Sequence, residues 1–324
     1  MKNFIKTLLI AIMITGLYSC VKAPHGYLSS QIRYRDNPMQ IQRGITQQTT
    51  AVDNDGSSAP VTYEVTDIRN AVTHKHADSL YRNQDRYVYI SEFNADVDTT
   101  VALLNKRRKL VHAPAFEFNQ YTGAFTFFGT TANVPVGTYE FDVKASNENG
   151  TKTYNNVANF SLYDGDVAEI DAGGGAWFKD GSDLSGDIGA PIVTIQKLAT
   201  TGTVAILKIV DENGVAFNPK NNEYLKRGDR SSFETFAKFH PVVASDTSLT
   251  INFEVIPFPF KGAAQGYTIY YRIPGQFAKI DPGFTPTPDR GYSANPRFTF
   301  RIFQEGVYLI TVKLQHVTRD VISQ

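Results

Sequence analysis

Along residues 138–145 the apolar side chains fall on every second position. Tyr139, Phe141 and Val143 alternate with Glu140, Asp142 and Lys144. A helix would spread these groups around its surface, whereas a strand sorts them onto two faces, one buried and one wet. The same period of two recurs at 61–65, 87–90, 125–128 and 157–162, and again at 203–210, 248–256, 267–273, 297–303 and 307–314. Turn residues separate the runs, at Gly123, Gly129, Pro135, Gly137 and 147–150 among others. Short alternating strands at this spacing define an all-β chain. Its 324 residues, 42% of them hydrophobic, carry enough apolar mass for two cores. The expected architecture is therefore two antiparallel β-sandwich domains.

Two helical interruptions are expected. At 98–109, Asp98 can cap a helix whose apolar stripe is Val101, Leu103 and Leu104, with Lys106 to Lys109 at the C-terminal end where the macrodipole favours cations. The run Lys106-Arg107-Arg108-Lys109 also allows a reading as an anion-binding patch. A single helical turn at 231–239 would pack Phe233 and Phe236 inward. From these signals the domains read as 1–19, a signal peptide; 20–56, a tether with a leading strand; 57–163, the first sandwich; 164–189, an acidic, glycine-rich junction; and 190–324, the second sandwich.

The first twenty residues carry an address. Lys2 and Lys6 precede an apolar run at 8–17, too short to cross a bilayer core of roughly 30 Å as a helix. The junction Leu17-Tyr18-Ser19-Cys20 resembles the bacterial lipobox, although the family prefers a smaller residue than Tyr18 before Ser19. The resemblance implies that Cys20, the only cysteine, carries diacylglycerol and that the new amino terminus takes a further acyl chain such as palmitate. More than one chain is what stable anchoring requires. It also implies an outer-membrane lipoprotein, with the extracellular and periplasmic faces both open, because no acidic residue precedes Asp36. With no second cysteine for a disulfide, stability must come from burial alone.

At Phe116-Glu-Phe-Asn-Gln-Tyr-Thr-Gly-Ala-Phe-Thr-Phe, followed by the Gly137-Thr-Tyr strand and its polar turn, the chain resembles bacterial cadherin-like and immunoglobulin-like modules. Gly123 suits the tight hairpin and Tyr139 plugs the core. The layout of lipobox, Gly26-Tyr-Leu-Ser, this module and a second β domain looks like that of lipoproteins encoded beside SusC/SusD-type glycan-uptake systems. That resemblance implies a polysaccharide ligand and an outer-membrane transporter as partner.

Charge argues against nucleic acid. Lys+Arg and Asp+Glu number 32 each, and loss of the signal peptide leaves 30 against 32. Catalytic signatures are missing. There is no Gly-x-Ser-x-Gly, His-Glu-x-x-His or phosphate loop, and the lone thiol is consumed by the anchor. A non-catalytic protein is expected; a hydrolase built on two carboxylates stays open. His74-Lys75-His76 puts two imidazoles on one face of a strand, yet a polar turn without acidic partners is the plainer reading. Around Gly173-Gly174-Gly175 the acids Asp164, Asp166 and Asp171 are Ca²⁺ candidates, set against a solvated linker. No other cofactor is implied.

What remains is aromatic binding. Sugars present C–H faces to aromatic rings and hydroxyls to polar side chains. Trp177 with Phe178 is the first candidate platform, Tyr270 on the outward face of its strand the second, and Tyr292 a third in the proline-rich stretch 277–292. For Trp177 the competing reading is a plug buried at the domain boundary. An adhesive lipoprotein binding protein partners is the alternative to a glycan binder.

Overall fold

The computed structural model describes residues 26–260, 266–287 and 290–320. Cys20 and the signal segment lie outside them. The chain is almost wholly β. Its strands are β1 (Met39–Gln42), β2 (Gln47–Gln48), β3 (Thr62–Asn70), β4 (Gln84–Tyr89), β5 (Arg108–Ala113), β6 (Phe116–Phe118), β7 (Phe125–Phe127), β8 (Gly137–Asn147) and β9 (Gly150–Tyr163). They continue with β10 (Ala168–Lys179), β11 (Ser185–Asp187), β12 (Ile192–Ala199), β13 (Thr203–Val210), β14 (Leu225–Lys226), β15 (Val243–Ala244) and β16 (Leu249–Asn252). The last are β17 (Ile269–Arg272), β18 (Ala278–Ile280), β19 (Tyr292–Ile302), β20 (Gly306–Lys313) and β21 (Val317–Arg319). Two compact units result, one from residues up to Arg82 plus 114–163, the other from 83–113 plus 164 onward.

In the first unit a four-stranded sheet, β1-β9-β8-β3, faces the three-stranded β2-β7-β6. The alternation of residues 138–145 is realised as expected, with Tyr139, Phe141 and Val143 buried. Phe125 and Phe127 of one sheet meet Phe141 and Phe160 of the other at ring-centroid distances of 5.0 and 4.9 Å. Such aromatic pairs supply both area and geometric preference to the core. Gly123 takes a positive φ of 67° in the hairpin before β7 and accepts from the Tyr34 hydroxyl at 2.5 Å. Much of the stretch expected as tether is core, since Ile32, Tyr34, Met39 and Ile41 are buried.

The second unit stacks the sheet β11-β10-β19-β17-β14 on β12-β20-β13-β16-β15. Phe298, Phe300 and Ile302 point inward from one, Tyr308, Ile310 and Val312 from the other. The helical turn Phe233–Phe236 forms, with Ser232 and Thr235 as a capping box and both phenylalanines buried. Two ladders depart from the antiparallel expectation, β1 with β9 and β13 with β20. Both partners are far apart in sequence, which supplies the long connection that parallel pairing requires.

Three further expectations are corrected. Residues 98–109 do not form one helix: only Val101–Leu104 is helical, its cap being Thr100, whose hydroxyl accepts from Leu103 N. Asp98 is instead buried, with Arg107 Nε at 3.0 Å and Asn94 N donating to it. Arg108 already belongs to β5, which pairs with β4. The run 106–109 is therefore no free cationic patch, because Arg107 and Arg108 are committed to internal carboxylates.

That β4–β5 hairpin groups with the second unit, although it interrupts the first in sequence. Arg108 makes the attachment. Its Nη1 donates to Glu254 O at 2.7 Å, its Nη2 to Glu254 Oε2 at 2.5 Å, and its guanidinium lies 3.8 Å from the Tyr87 ring centroid. His240 Nε2 lies 2.7 Å from the other Glu254 oxygen, and Phe93 packs edge-on against Phe260.

The stretch 164–189 is not a free junction but holds β10 and β11. The glycine run serves close approach rather than mobility. A Cβ on Gly173 would stand 1.6 Å from Arg297 O, at the bulge between Asp171 and Gly174 where β10 shifts register against β19.

Candidate functional site

Trp177 and Phe178 are neighbours on β10, so they face opposite sides of the sheet. Trp177 points into the core and is 4% exposed. Its indole lies against the backbone of β11 at Gly186, where a Cβ would come within 2.6 Å of the ring. Tyr292 stands edge-on to it at 5.2 Å and is 2% exposed, its hydroxyl 2.7 Å from Thr287 Oγ1. Neither ring offers a face to a ligand, which removes Trp177 and Tyr292 as platforms. Trp177 plugs the core of the second unit itself, and its Nε1 has no acceptor among the described residues.

Phe178 and Tyr270 remain half-exposed on the outer face of the sheet. Register places their neighbours. Phe178 is opposite Ser293, Ala176 opposite Asn295 and Gly174 opposite Arg297, while Tyr270 on β17 is opposite Arg297 from the other side. One face of three adjacent strands therefore carries Phe178, Arg297 and Tyr270 together, with Arg272 two residues after Tyr270.

Cations lie across this face. The Arg227 guanidinium is 5.0 Å from the Phe178 ring centroid, and that of Arg230 is 5.6 Å from the Tyr270 centroid. Arg297 extends over β10, since a Cβ on Gly174 would be 2.9 Å from its Nε. Farther along β19, Arg301 covers the ring of Tyr267 at 4.3 Å. Desolvation holds the Arg227 guanidinium below the ordinary arginine value. The like charge of Arg230 adds to this, Tyr270 opposes it, and Arg297 and Arg272 push the same way again. Arg272 Nη2 meets Asp180 at 2.6 Å, whereas no ion pair holds Arg227, Arg230 or Arg297 among the described residues.

Both rings were legible in the sequence as binding candidates; the role of the arginines was not. Alternation on β17 and β19 already sends Arg272 and Arg297 outward, and the segment Lys226-Arg227-Gly228-Asp229-Arg230 is visibly basic. That Arg227 reaches across to a ring on β10 depends on strand order, which no local pattern contains.

The remaining candidates part company. His74 and His76 do have acidic partners, contrary to expectation: His74 Nδ1 is 2.9 Å from Glu140 Oε1 and His76 Nδ1 is 2.6 Å from Asp67 Oδ1. Arg69 sits among the same carboxylates. Asp171 lies on β10 opposite Thr299. Among the described residues no group of three or more His, Cys, Asp or Glu is arranged to hold a metal ion, the Ca²⁺ candidates Asp164, Asp166 and Asp171 included. No helix among these residues is long and apolar enough to cross a membrane.

These features define an all-β protein of two sandwich units, the second with an arginine-rich aromatic face. No family profile matches the chain, and no curated protein matches it. Among solved structures it is similar to a SusE-like surface located polysaccharide binding protein from the heparin utilisation locus of Bacteroides thetaiotaomicron. The identity is 9%, with 88% of this chain and 53% of that one covered, at a TM-score of 0.25. This chain thus spans about half the length of that protein.

Proposed function

We propose that the chain is a non-catalytic lipoprotein of the cell envelope, anchored at the outer membrane through Cys20, whose second unit binds polysaccharide for a neighbouring transporter. The observation that carries the binding role is the pair of half-exposed rings, Phe178 and Tyr270, set on one rigid sheet face with polar and cationic groups around them. Rings fixed by strands are ordered before binding, so little conformational entropy is lost when a sugar stacks on them. The lipobox-like Leu17-Tyr18-Ser19-Cys20 supports the anchor.

A polysaccharide panel tests the reading. With the chain from residue 21 onward immobilised, at least one polysaccharide is expected to bind. Tyr270→Ala and Phe178→Ala should each lose about 1–3 kcal/mol, by analogy with stacking of bases on aromatic side chains. Failure of every polysaccharide to bind removes the proposal.

One observation favours the adhesive alternative. Tyr87, Tyr89 and Leu110 share a face of the β4–β5 hairpin and are 48%, 45% and 59% exposed, an apolar stripe of the kind protein partners cover. Crosslinking from position 110 to a protein, in a chain that binds no glycan, would support it.

A further inference from the structure

We propose that the outer face of β10, β19, β17 and β14 is a site for an anionic polysaccharide, one bearing carboxylate or sulfate groups, with Arg227, Arg230, Arg272 and Arg297 as its charge-reading groups. The proposal rests on the glycan reading above and narrows it to a chemical class.

The first argument is concentration of charge. Register and ring contacts bring four guanidiniums onto one sheet face around two rings, in a chain whose positive and negative residues balance overall. The like charges also repel, as the depression of Arg227 by Arg230, Arg297 and Arg272 records. A protein gains nothing in stability from such crowding, and among the described residues only Arg272 of the four has an ion-pair carboxylate, Asp180, to relieve it. An incoming polyanion would relieve all four. Guanidiniums suit that task because their planar donor fork matches carboxylate and sulfate oxygens in pairs and stays charged at every physiological pH.

The second argument is shape. The guanidiniums of Arg227 and Arg230 lie 5.0 and 5.6 Å from the ring centroids of Phe178 and Tyr270, so each of these cations has an aromatic neighbour on the face. Arg297 is seated over Gly174 of β10, which leaves room for its side chain where a Cβ would collide. Across neighbouring strands, spaced about 5 Å apart, Arg297 stands between Gly174 and Tyr270, while Phe178 lies four residues farther along β10 opposite Ser293. A sugar polymer with a charge on alternating units meets both kinds of group, whereas a lipid surface or a phosphopeptide has no use for stacking platforms.

The third argument is access. Arg230, Arg272 and Arg297 are exposed, while Ser293 and Asn295 at the centre of the face are buried and hydrogen-bonded to each other, giving a firm polar floor.

Calorimetric titration of the chain from residue 21 onward tests the proposal with polygalacturonate, dextran sulfate and unsubstituted dextran. Binding is expected for the two anionic polymers, at least tenfold weaker for dextran, and weakening steeply with added salt. The double variant Arg230→Ala/Arg297→Ala should lose about tenfold or more in affinity with an unchanged melting temperature, since both side chains are exposed. Lys279→Ala, which removes an exposed cation on the separate β18–β21 sheet, should bind as the parent does. Tyr270→Ala should also weaken binding, which bulk electrostatics alone would not produce.

Binding only to neutral members of a wider panel, indifferent to the arginine variants, overturns the anionic inference and leaves the glycan reading standing. No binding to any polysaccharide overturns both. Equal displacement by duplex DNA, with Tyr270→Ala harmless, overturns the proposal in favour of an undifferentiated polyanion surface.

Discussion

Arg69 holds both carboxylate oxygens of Asp142 across the β3–β8 ladder, Nη1 to Oδ2 at 2.6 Å and Nη2 to Oδ1 at 2.8 Å. Its remaining donors reach Asp67 and Glu140, each of which also has a histidine beside it. Three acids are thereby kept ionised. Hydrogen bonding from Arg69 lowers the Asp142 carboxyl, that from His74 lowers Glu140, and for Asp67 the bonds from Arg69 and His76 outweigh an opposing desolvation.

Because these folded-state values lie below the unfolded ones, the stabilisation is fully present above the ordinary carboxylate range near pH ~4 and is lost as pH falls through the depressed values. The first unit is expected to weaken on acidification below about pH 4. Arg69→Ala should cost about 1–3 kcal/mol at pH 7, from lost charged hydrogen bonds on a partly solvated group, and should flatten the acid limb. Urea unfolding at stepped pH measures both; an acid limb unchanged in the variant would show that other acids govern it.

Trp177→Ala is expected to cost about 3–5 kcal/mol of stability in the second unit, the penalty of a large core truncation. Trp177→Phe should cost far less, since it also removes an indole N–H that has no acceptor among the described residues. Iodide should quench the emission of this single tryptophan weakly, and saturating glycan should leave it nearly unchanged. A strong glycan-induced shift would return Trp177 to the binding site.

Arg108→Ala should detach the β4–β5 hairpin from the second unit. Glu254 would lose its main counter-charge while keeping His240, so the cost should fall somewhat below the ~3–5 kcal/mol of a fully buried pair. Protease cutting within 84–113 should accelerate in the variant, and mass spectrometry of the fragments locates the cuts. Resistance equal to the parent's would mean that the packing of Phe93 and the Lys238 Nζ to Ala95 O bond hold the hairpin without Arg108.

Cys20→Ala should abolish lipid attachment and leave an unprocessed precursor, since no other residue offers a thiol for the thioether. Metabolic labelling with an alkynyl fatty acid reads it directly. Label retained by the variant would remove the lipoprotein assignment.

Strands were legible because a period of two ties each residue to a face. Thr203–Val210 and the inward set Phe298, Phe300, Ile302 follow from alternation alone. Residues 98–109 misled for a physical reason: a terminal cluster of cations suits a helix dipole, but Arg107 and Arg108 answer to Asp98 and to Glu254, the latter 146 positions away. Gly173 to Gly175 misled because glycine serves both loose linkers and tight backbone contacts, and only the neighbouring strand tells them apart. Trp177 and Phe178 show the limit at the site. Their opposite facing was readable from adjacency, but which face was buried required knowing that a second sheet covers Trp177.

The hairpin that leaves the first unit after Arg82 and returns at Pro114 makes neither unit a continuous stretch of chain. A coding sequence divided once near position 163 would hand the first half a hairpin whose anchor, Glu254, it lacks, and would leave the second half with Phe260 uncovered on the side that Phe93 packs. Recombination that shuffles single segments could not exchange these two units intact. Exchanging either unit for another module therefore requires cutting the gene at three places, after 82, 113 and 163.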